Sequence, residues 1–281
     1  MTGDLAGGAS VEVEATFRCL EEWQEWRAEH PWATDRDHIA RVVDSARRVG
    51  IVSPFLGSVP AGEVEVGDAN FRESLRARGL NPRLRAVLDH FAQLPEAAGR
   101  FTTRLYAPEA LTPFALELRG RYARFWGSEY APDPDRRQRL FPIPHEDLAE
   151  LSLPDGSFDV AFSNEVFEHV PDLPRALAEL ARILRRGGTL LATFPFAYNG
   201  YETIVKARLR GGELQVIGEA EYHPNPVDPA GSLVYQIPGW DILDLARQQG
   251  FASAELRFVS SRARGICATE LAGIFLLKAV R

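Results

Sequence analysis

The segment LSLPDGSFDVAFSNEVFEHVPD (151–172), running on through LPRALAELARILRRGG (173–188) into TLLATF (189–194), decides the fold of this chain. Phe158 to Ser163 is a short apolar run ending in the polar Asn164-Glu165, as a buried strand does. From Leu173 the period changes to 3.6: Leu173, Ala176, Leu177, Leu180, Ala181 and Leu184 fall on one face, and Asp172 is a suitable N-cap. Gly187-Gly188 is expected to end that helix and lead into a second strand over 188–194. Strand, helix and parallel strand joined by short links form a βαβ unit.

The same rhythm extends outward. Apolar runs at 101–107, 122–130, 251–259 and 271–279 are expected strands, with helices at 109–119 and 239–249. The last two runs are joined by a link too short for a crossover helix and are expected to pair antiparallel. Together these predict an α/β fold, a doubly wound, mostly parallel seven-stranded sheet occupying residues 96–281, with an insertion over 196–236 acting as a cap. Residues 1–95 read as a mainly helical extension, with helices over 11–29, 36–48 and 81–95. Within it, Ser53-Pro-Phe-Leu56-Gly57 and Leu75-Arg-Ala-Arg78-Gly79 have the shape of two zinc-knuckle turns lacking all four thiolates, so no structural zinc is expected. Two unrelated glycine turns explain the same letters.

Composition narrows the classes of function. Apolar residues make up 45% of the 281, enough for a folded core, and the formal charge of −7 argues against broad contact with nucleic acid phosphates. No apolar run is long enough to span a membrane. Met1 to Ser10 lacks the basic and apolar regions of a signal peptide. The two cysteines, Cys19 and Cys267, fit a reducing cytoplasm.

In open α/β sheets, ligands sit beyond the carboxyl ends of the strands. Those ends carry Tyr106 to Pro113, Ser128-Glu129-Tyr130, Pro144 to Leu148, and Asn164 to Val170. The long ordered pattern from Phe158-Asp159 to Gly187-Gly188 resembles the central portion of class I S-adenosylmethionine-dependent methyltransferases of the type 11 group. By that resemblance Glu129 would hold the cofactor ribose, Asp147 and Leu148 would meet the adenine, and Asn164 would lie beside the methionine part. Tyr106 and Tyr130 join the same set. The family's glycine-rich first turn is absent, because residues 106–113 contain no glycine. One reading is a glycine-poor subgroup in which Glu109, Thr112 and Pro113 form the turn and Glu109 meets the cofactor's ammonium. The other is loss of cofactor binding.

Glu165, Glu168 and His169, at spacing i, i+3, i+4, project to one side if the segment is helical. With His223 they make a plausible cage for a divalent metal such as magnesium. The arrangement looks like the metal site of certain O-methyltransferases. A metal-free role for His169 or His223 as base or acceptor contact, and a purely structural role, stay open beside it. Phe196, Tyr198, Tyr201, Tyr222 and Trp240 read either as an aromatic acceptor pocket or as core. The expected activity is methyl transfer to a small polar acceptor, at a hydroxyl of a sugar or natural product. The alternatives are a non-methylating protein on the same fold and, opposed by the charge, an RNA-modifying enzyme.

Overall fold

The computed structural model describes residues 12–281, so the expectation for Met1 to Ser10 lies outside the described residues. Strand β1 (Glu12–Phe17) is followed by helices α1 (Leu20–Glu29) and α2 (Arg36–Val49). Two small hairpins come next. Strands β2 (Ile51–Ser53) and β3 (Gly57–Val59) form the first; β4 (Val64–Val66) and β5 (Leu75–Ala77) form the second and enclose the one-turn helix α3 (Phe71–Ser74). Helix α4 (Pro82–Phe91) leads into alternating elements: β6 (Arg104–Ala107), α5 (Pro113–Arg121), β7 (Arg124–Gly127), α6 (Pro134–Leu140), β8 (Phe158–Asn164), α7 (Leu173–Ile183) and β9 (Leu184–Thr193). Six short strands occupy 204–237: β10 (Ile204–Val205), β11 (Ala207–Arg210), β12 (Glu213–Val216), β13 (Tyr222–Asn225), β14 (Asp228–Leu233) and β15 (Gln236–Ile237). The chain closes with α8 (Ile242–Gln248), β16 (Ser253–Ser261) and β17 (Ile274–Val280).

Seven strands form the central sheet in the order β1-β16-β17-β9-β8-β6-β7. The pairings β6–β7, β6–β8 and β8–β9 are parallel; β9–β17, β17–β16 and β16–β1 are antiparallel. From β6 the chain runs outward to β7, then returns to place β8 on the other side of β6. The β6/β8 boundary is therefore the switch point at which such sheets bind ligands. Side chains alternate between two cores. Tyr106, Phe158, Ala161 and Leu190 face α7 and α8, whereas Leu105, Val160, Phe162 and Leu191 face α4 and α5. Covered on both faces, these strands are near-continuous apolar runs, which is why they are legible in sequence.

The expected helix over 11–29 is corrected. Residues 12–17 pair with β16 from Glu12↔Ser261 to Phe17↔Leu256, and the helix begins only at Leu20. Glu-Val-Glu-Ala-Thr-Phe alternates with period two, and pairing to an open sheet edge outweighs the weak helical spacing of Phe17, Leu20 and Trp23. The double glycine is corrected too. Helix α7 stops at Ile183, and Gly187-Gly188 lies within β9, where Gly187 has a φ of 72° that favours glycine.

Neither knuckle-like turn is left unsupported. The Ser53 hydroxyl accepts from the backbone N–H of Leu56 at 3.0 Å and donates to the buried Asp89, and Leu56 and Leu75 are core. The buried Arg85 guanidinium donates to the carbonyls of Leu75, Leu80 and Gly265 at 2.9, 2.6 and 2.7 Å, tying the second hairpin to the β16–β17 link.

Candidate active site

At the switch point the polar strand ends form one network. After β6, Thr112 N-caps α5 by accepting from Ala115 N–H at 3.2 Å, with Pro113 at the helix start. The Thr112 hydroxyl donates to Glu109 Oε2 at 2.6 Å. Glu109 Oε1 accepts from Asn164 Nδ2, at the tip of β8, at 2.6 Å, and Asn164 Oδ1 accepts from Thr193, at the tip of β9, at 3.3 Å. Beyond β7, Glu129 Oε1 accepts from the backbone N–H groups of Ala110 and Leu111 at 2.8 and 3.1 Å. The glycine-free turn is thus braced by a carboxylate beneath its own amides. Glu129 Oε2 has no hydrogen-bond partner among the described residues. Burial raises the Glu109 carboxyl to about 7 against the hydrogen bonds of Thr112 and Asn164, and burial raises Glu129 as well.

Residues 144–147 run alongside this network. Glu129 N–H donates to Pro144 at 2.9 Å, and Glu146 N–H to Glu129 at 3.2 Å. Asp147 follows, with Oδ1 accepting from Ala149 N–H at 2.8 Å, and Leu148 is buried. Tyr106 is fully buried with its hydroxyl 3.1 Å from Ser128 Oγ, so it faces the core; Tyr130 is exposed near His145.

The loop after β8 divides its acidic residues between two partners. Glu165 adopts the left-handed region (φ 54°), an uncommon conformation for a non-glycine residue. It turns to Arg72 of α3, which grips it in two parallel bonds at 2.7 and 2.8 Å; Arg72 also reaches Phe194 O at 3.3 Å. Burial opposes ionisation of Glu165, but Arg72 and Arg83 outweigh it and hold the carboxyl well below its usual range. Arg83 and Asn81 fix the neighbouring Glu73 at 2.8 and 2.6 Å. Replacing Arg72 by alanine strands a largely buried carboxylate and is expected to cost about 3 kcal/mol of stability. In thermal unfolding, Glu165→Gln in the same chain should restore part of that loss.

Glu168, His169 and His223 come together instead, with ligand atoms all within 4.8 Å of one another. Glu168 Oε1 lies 3.6 Å from His169 Nε2 and 3.6 Å from His223 Nδ1. Glu168 is fully buried, and neither carboxylate oxygen has a hydrogen-bond partner. His169 Nδ1 lies 2.9 Å from the Leu233 carbonyl, which can only accept, so Nδ1 carries the proton and Nε2 presents a lone pair to Glu168. His223 Nε2 lies 3.3 Å from Glu221. Burial pushes Glu168 up to about 7 and lowers His169, while the Glu168 carboxylate raises His223. Glu165, expected in this cluster, is not brought to it. The helical spacing does not apply, because only Phe167–His169 forms a turn of 3-10 helix.

The 196–236 segment docks on this loop and crosses the site. Tyr235 N–H donates to Glu168 O at 2.7 Å, and Gln236 Nε2 reaches the carbonyls of Phe167 and Val170, both at 2.7 Å. At the far end of the β13–β14 hairpin, Asp228 pairs with Arg136 of α6 at 2.5 Å. Arg72, Arg83, Glu221 and Gln236 carry no local sequence signal; each is defined by a partner distant in the chain.

The topology and the site define a Rossmann-like sheet with an acidic switch point, and known proteins match the same part of the chain. Residues 113–192, from the start of α5 to the penultimate residue of β9, match the family model described as a methyltransferase domain. A malonyl-[acyl-carrier protein] O-methyltransferase of Serratia marcescens is 36% identical over 74 residues, 26% of this chain and 24% of that protein. A probable S-adenosylmethionine-dependent methyltransferase of Mycolicibacterium smegmatis is 45% identical over 53 residues, 19% and 21% of the two chains. The match spans about a quarter of the length of these relatives. Among solved structures, an S-adenosylmethionine-dependent methyltransferase from Mesorhizobium loti aligns over 71% of this chain and 96% of its own, at 20% identity and a TM-score of 0.43. The family model and these two curated relatives are all described as methyltransferases, and each matches only a central part of this chain. No helix among the described residues is long and apolar enough to cross a membrane.

Proposed function

We propose that this chain transfers a methyl group from S-adenosylmethionine to a hydroxyl of a small acceptor, a sugar or natural product. The observation that carries the reading is the network joining Glu109, Asn164 and Glu129 at the β6/β8 switch point. A buried carboxylate raised to about 7 suits an ammonium partner, which would restore its charge. Glu129 keeps one carboxylate oxygen for a ribose hydroxyl. Asp147 and Leu148, which follow the Glu129–Glu146 pairing, would meet the adenine, and Tyr130 would join them. Thr112 and Asn164 orient Glu109, and the buried Tyr106 supports the turn from below. The cofactor supplies an already activated methyl group, so the protein's part is alignment of the acceptor oxygen and removal of its proton.

Glu168, His169 and His223 would do the second task. A divalent metal fits them. The carboxylate is buried without partners, and each imidazole is oriented through its other nitrogen, by the Leu233 carbonyl and by Glu221. A cation held there would lower the pKa of a bound hydroxyl. Calorimetric titration of the full chain with S-adenosylhomocysteine tests the reading: one equivalent should bind at micromolar concentration. Absence of binding would sink it and favour a non-methylating protein, the alternative to which the glycine-free turn points. Tight, salt-sensitive binding of RNA would revive the RNA-modifying alternative.

A further inference from the structure

A cavity of about 520 Å³ opens at the same edge of the sheet as the switch point, beside the tip of β9. Its walls come from three parts of the chain: Phe194 to Tyr198 after β9, Ala268 to Phe275 at the entry to β17, and Ala69 to Arg72 before and within α3. Because β17 runs antiparallel to β9, its start lies at the edge where β9 ends. Phe194, one of the lining residues, follows Thr193, which bonds Asn164, and Arg72 touches both Phe194 O and Glu165. The cavity therefore adjoins the site without belonging to the network described above.

We propose that this cavity receives the body of the acceptor, and that the body is a flat aromatic ring system carrying the hydroxyl rather than a sugar; the inference rests on the methyl-transfer reading. The volume is that of a small-molecule site. The walls are rings in mutual contact: Phe196 and Phe275 have centroids 5.1 Å apart, Phe194 and Phe196 6.0 Å, and Tyr198 lies stacked with Phe275 at 6.4 Å. Of the five aromatics considered from sequence, Phe196 and Tyr198 line the cavity, Trp240 is core, and Tyr201 and Tyr222 are exposed.

The polar groups in the walls decide between the two bodies. Arg72 directs its terminal nitrogens to Glu73, Glu165 and Phe194 O. The Thr269 hydroxyl accepts from Phe71 N–H at 3.1 Å and donates to Ala69 O at 3.0 Å. That leaves the side chains of Asn70 and Glu270 to meet the ligand's hydroxyls. A sugar brings several hydroxyls, and most would be desolvated without partners. An aromatic body needs no such partners and gains ring-to-ring contact on more than one wall.

The test measures binding of two probes, 2-naphthol and methyl glucoside, to the full chain saturated with S-adenosylhomocysteine. Naphthol should bind at least about tenfold more tightly than the glucoside. Asn70→Trp, which narrows the mouth at an exposed position, and Tyr198→Ala should each weaken naphthol by roughly tenfold while leaving the Kd for S-adenosylhomocysteine unchanged. Equal or tighter glucoside binding, no naphthol binding, or naphthol affinity indifferent to both substitutions overturns the proposal. Failure of S-adenosylhomocysteine to bind the parent chain instead overturns the methyl-transfer reading, and the probes are then compared without it.

Discussion

Glu109→Gln should weaken S-adenosylhomocysteine binding at pH 8 by one to two orders of magnitude, roughly the value of a hydrogen bond between charged groups. The substitution keeps the shape and an acceptor for Thr112, loses the acceptor for Asn164 Nδ2, and removes the charge that the ligand's ammonium would meet. The pH dependence separates this from simple disturbance of the turn. Burial raises the Glu109 carboxyl to about 7 in the free protein, so near neutrality it is partly protonated. An ammonium partner favours the ionised form, so binding expels a proton. Affinity should rise as pH increases from 6 to 8, and calorimetry in two buffers of different ionisation enthalpy should report the proton released. In the glutamine variant both effects should shrink. The folding stability of the free protein must move the opposite way. A carboxyl whose folded pKa is raised contributes stability that is present below its unfolded value and is lost as pH climbs through about 7. The free parent chain should therefore lose stability between pH 5.5 and 8 relative to Glu109→Gln. A pH-independent affinity in the parent chain would remove Glu109 from the ligand site.

Strands β6, β8 and β9 and helix α7 are legible in sequence because each carries its own period or apolar run and is covered by core, so local pattern and tertiary environment agree; the edge strand β7 and helix α5 are read from their place in the alternation. The acidic residues of the switch point were legible for the same reason: they stand immediately after recognisable strands. What the sequence could not show is pairing across long separations. Nothing in Glu-Val-Glu-Ala-Thr-Phe names β16 as its partner, and nothing near Arg72 points to Glu165, 93 residues away. The spacing of Glu165, Glu168 and His169 assumed a regular helix. The positive φ at Glu165 breaks that assumption and sends one carboxylate to α3 and the other to the cap. The hairpins of 204–235 escape for a different reason: β12 is exposed on both faces, β11 buries only Ala207, and neither carries much hydrophobic period.

That division sets the second large effect. Manganese or zinc added to metal-free protein should bind with one equivalent per chain and raise the melting temperature. At a hundredfold excess over Kd the gain is about 2.7 kcal/mol. Glu168→Ala should abolish the gain, because it removes the one group that contacts both imidazoles. Glu221→Gln, acting through His223 Nε2, should weaken binding by roughly 10- to 100-fold. Glu165→Gln should leave metal affinity in place even as it disturbs the contact with Arg72, since its carboxylate is engaged elsewhere. The site is built from two pieces: Glu168 and His169 sit on the loop after β8, whereas His223, Glu221 and the Leu233 carbonyl belong to the 196–236 segment. A cation bridging them must favour the docked arrangement by the same free energy with which docking favours the cation. Proteolysis within the β13–β14 hairpin should therefore slow when metal is present, and should not slow in Glu168→Ala. If metal binds the alanine variant as tightly as the parent chain, or protects both hairpins equally, the cluster is a structural contact between loop and cap and its histidines hold no ion.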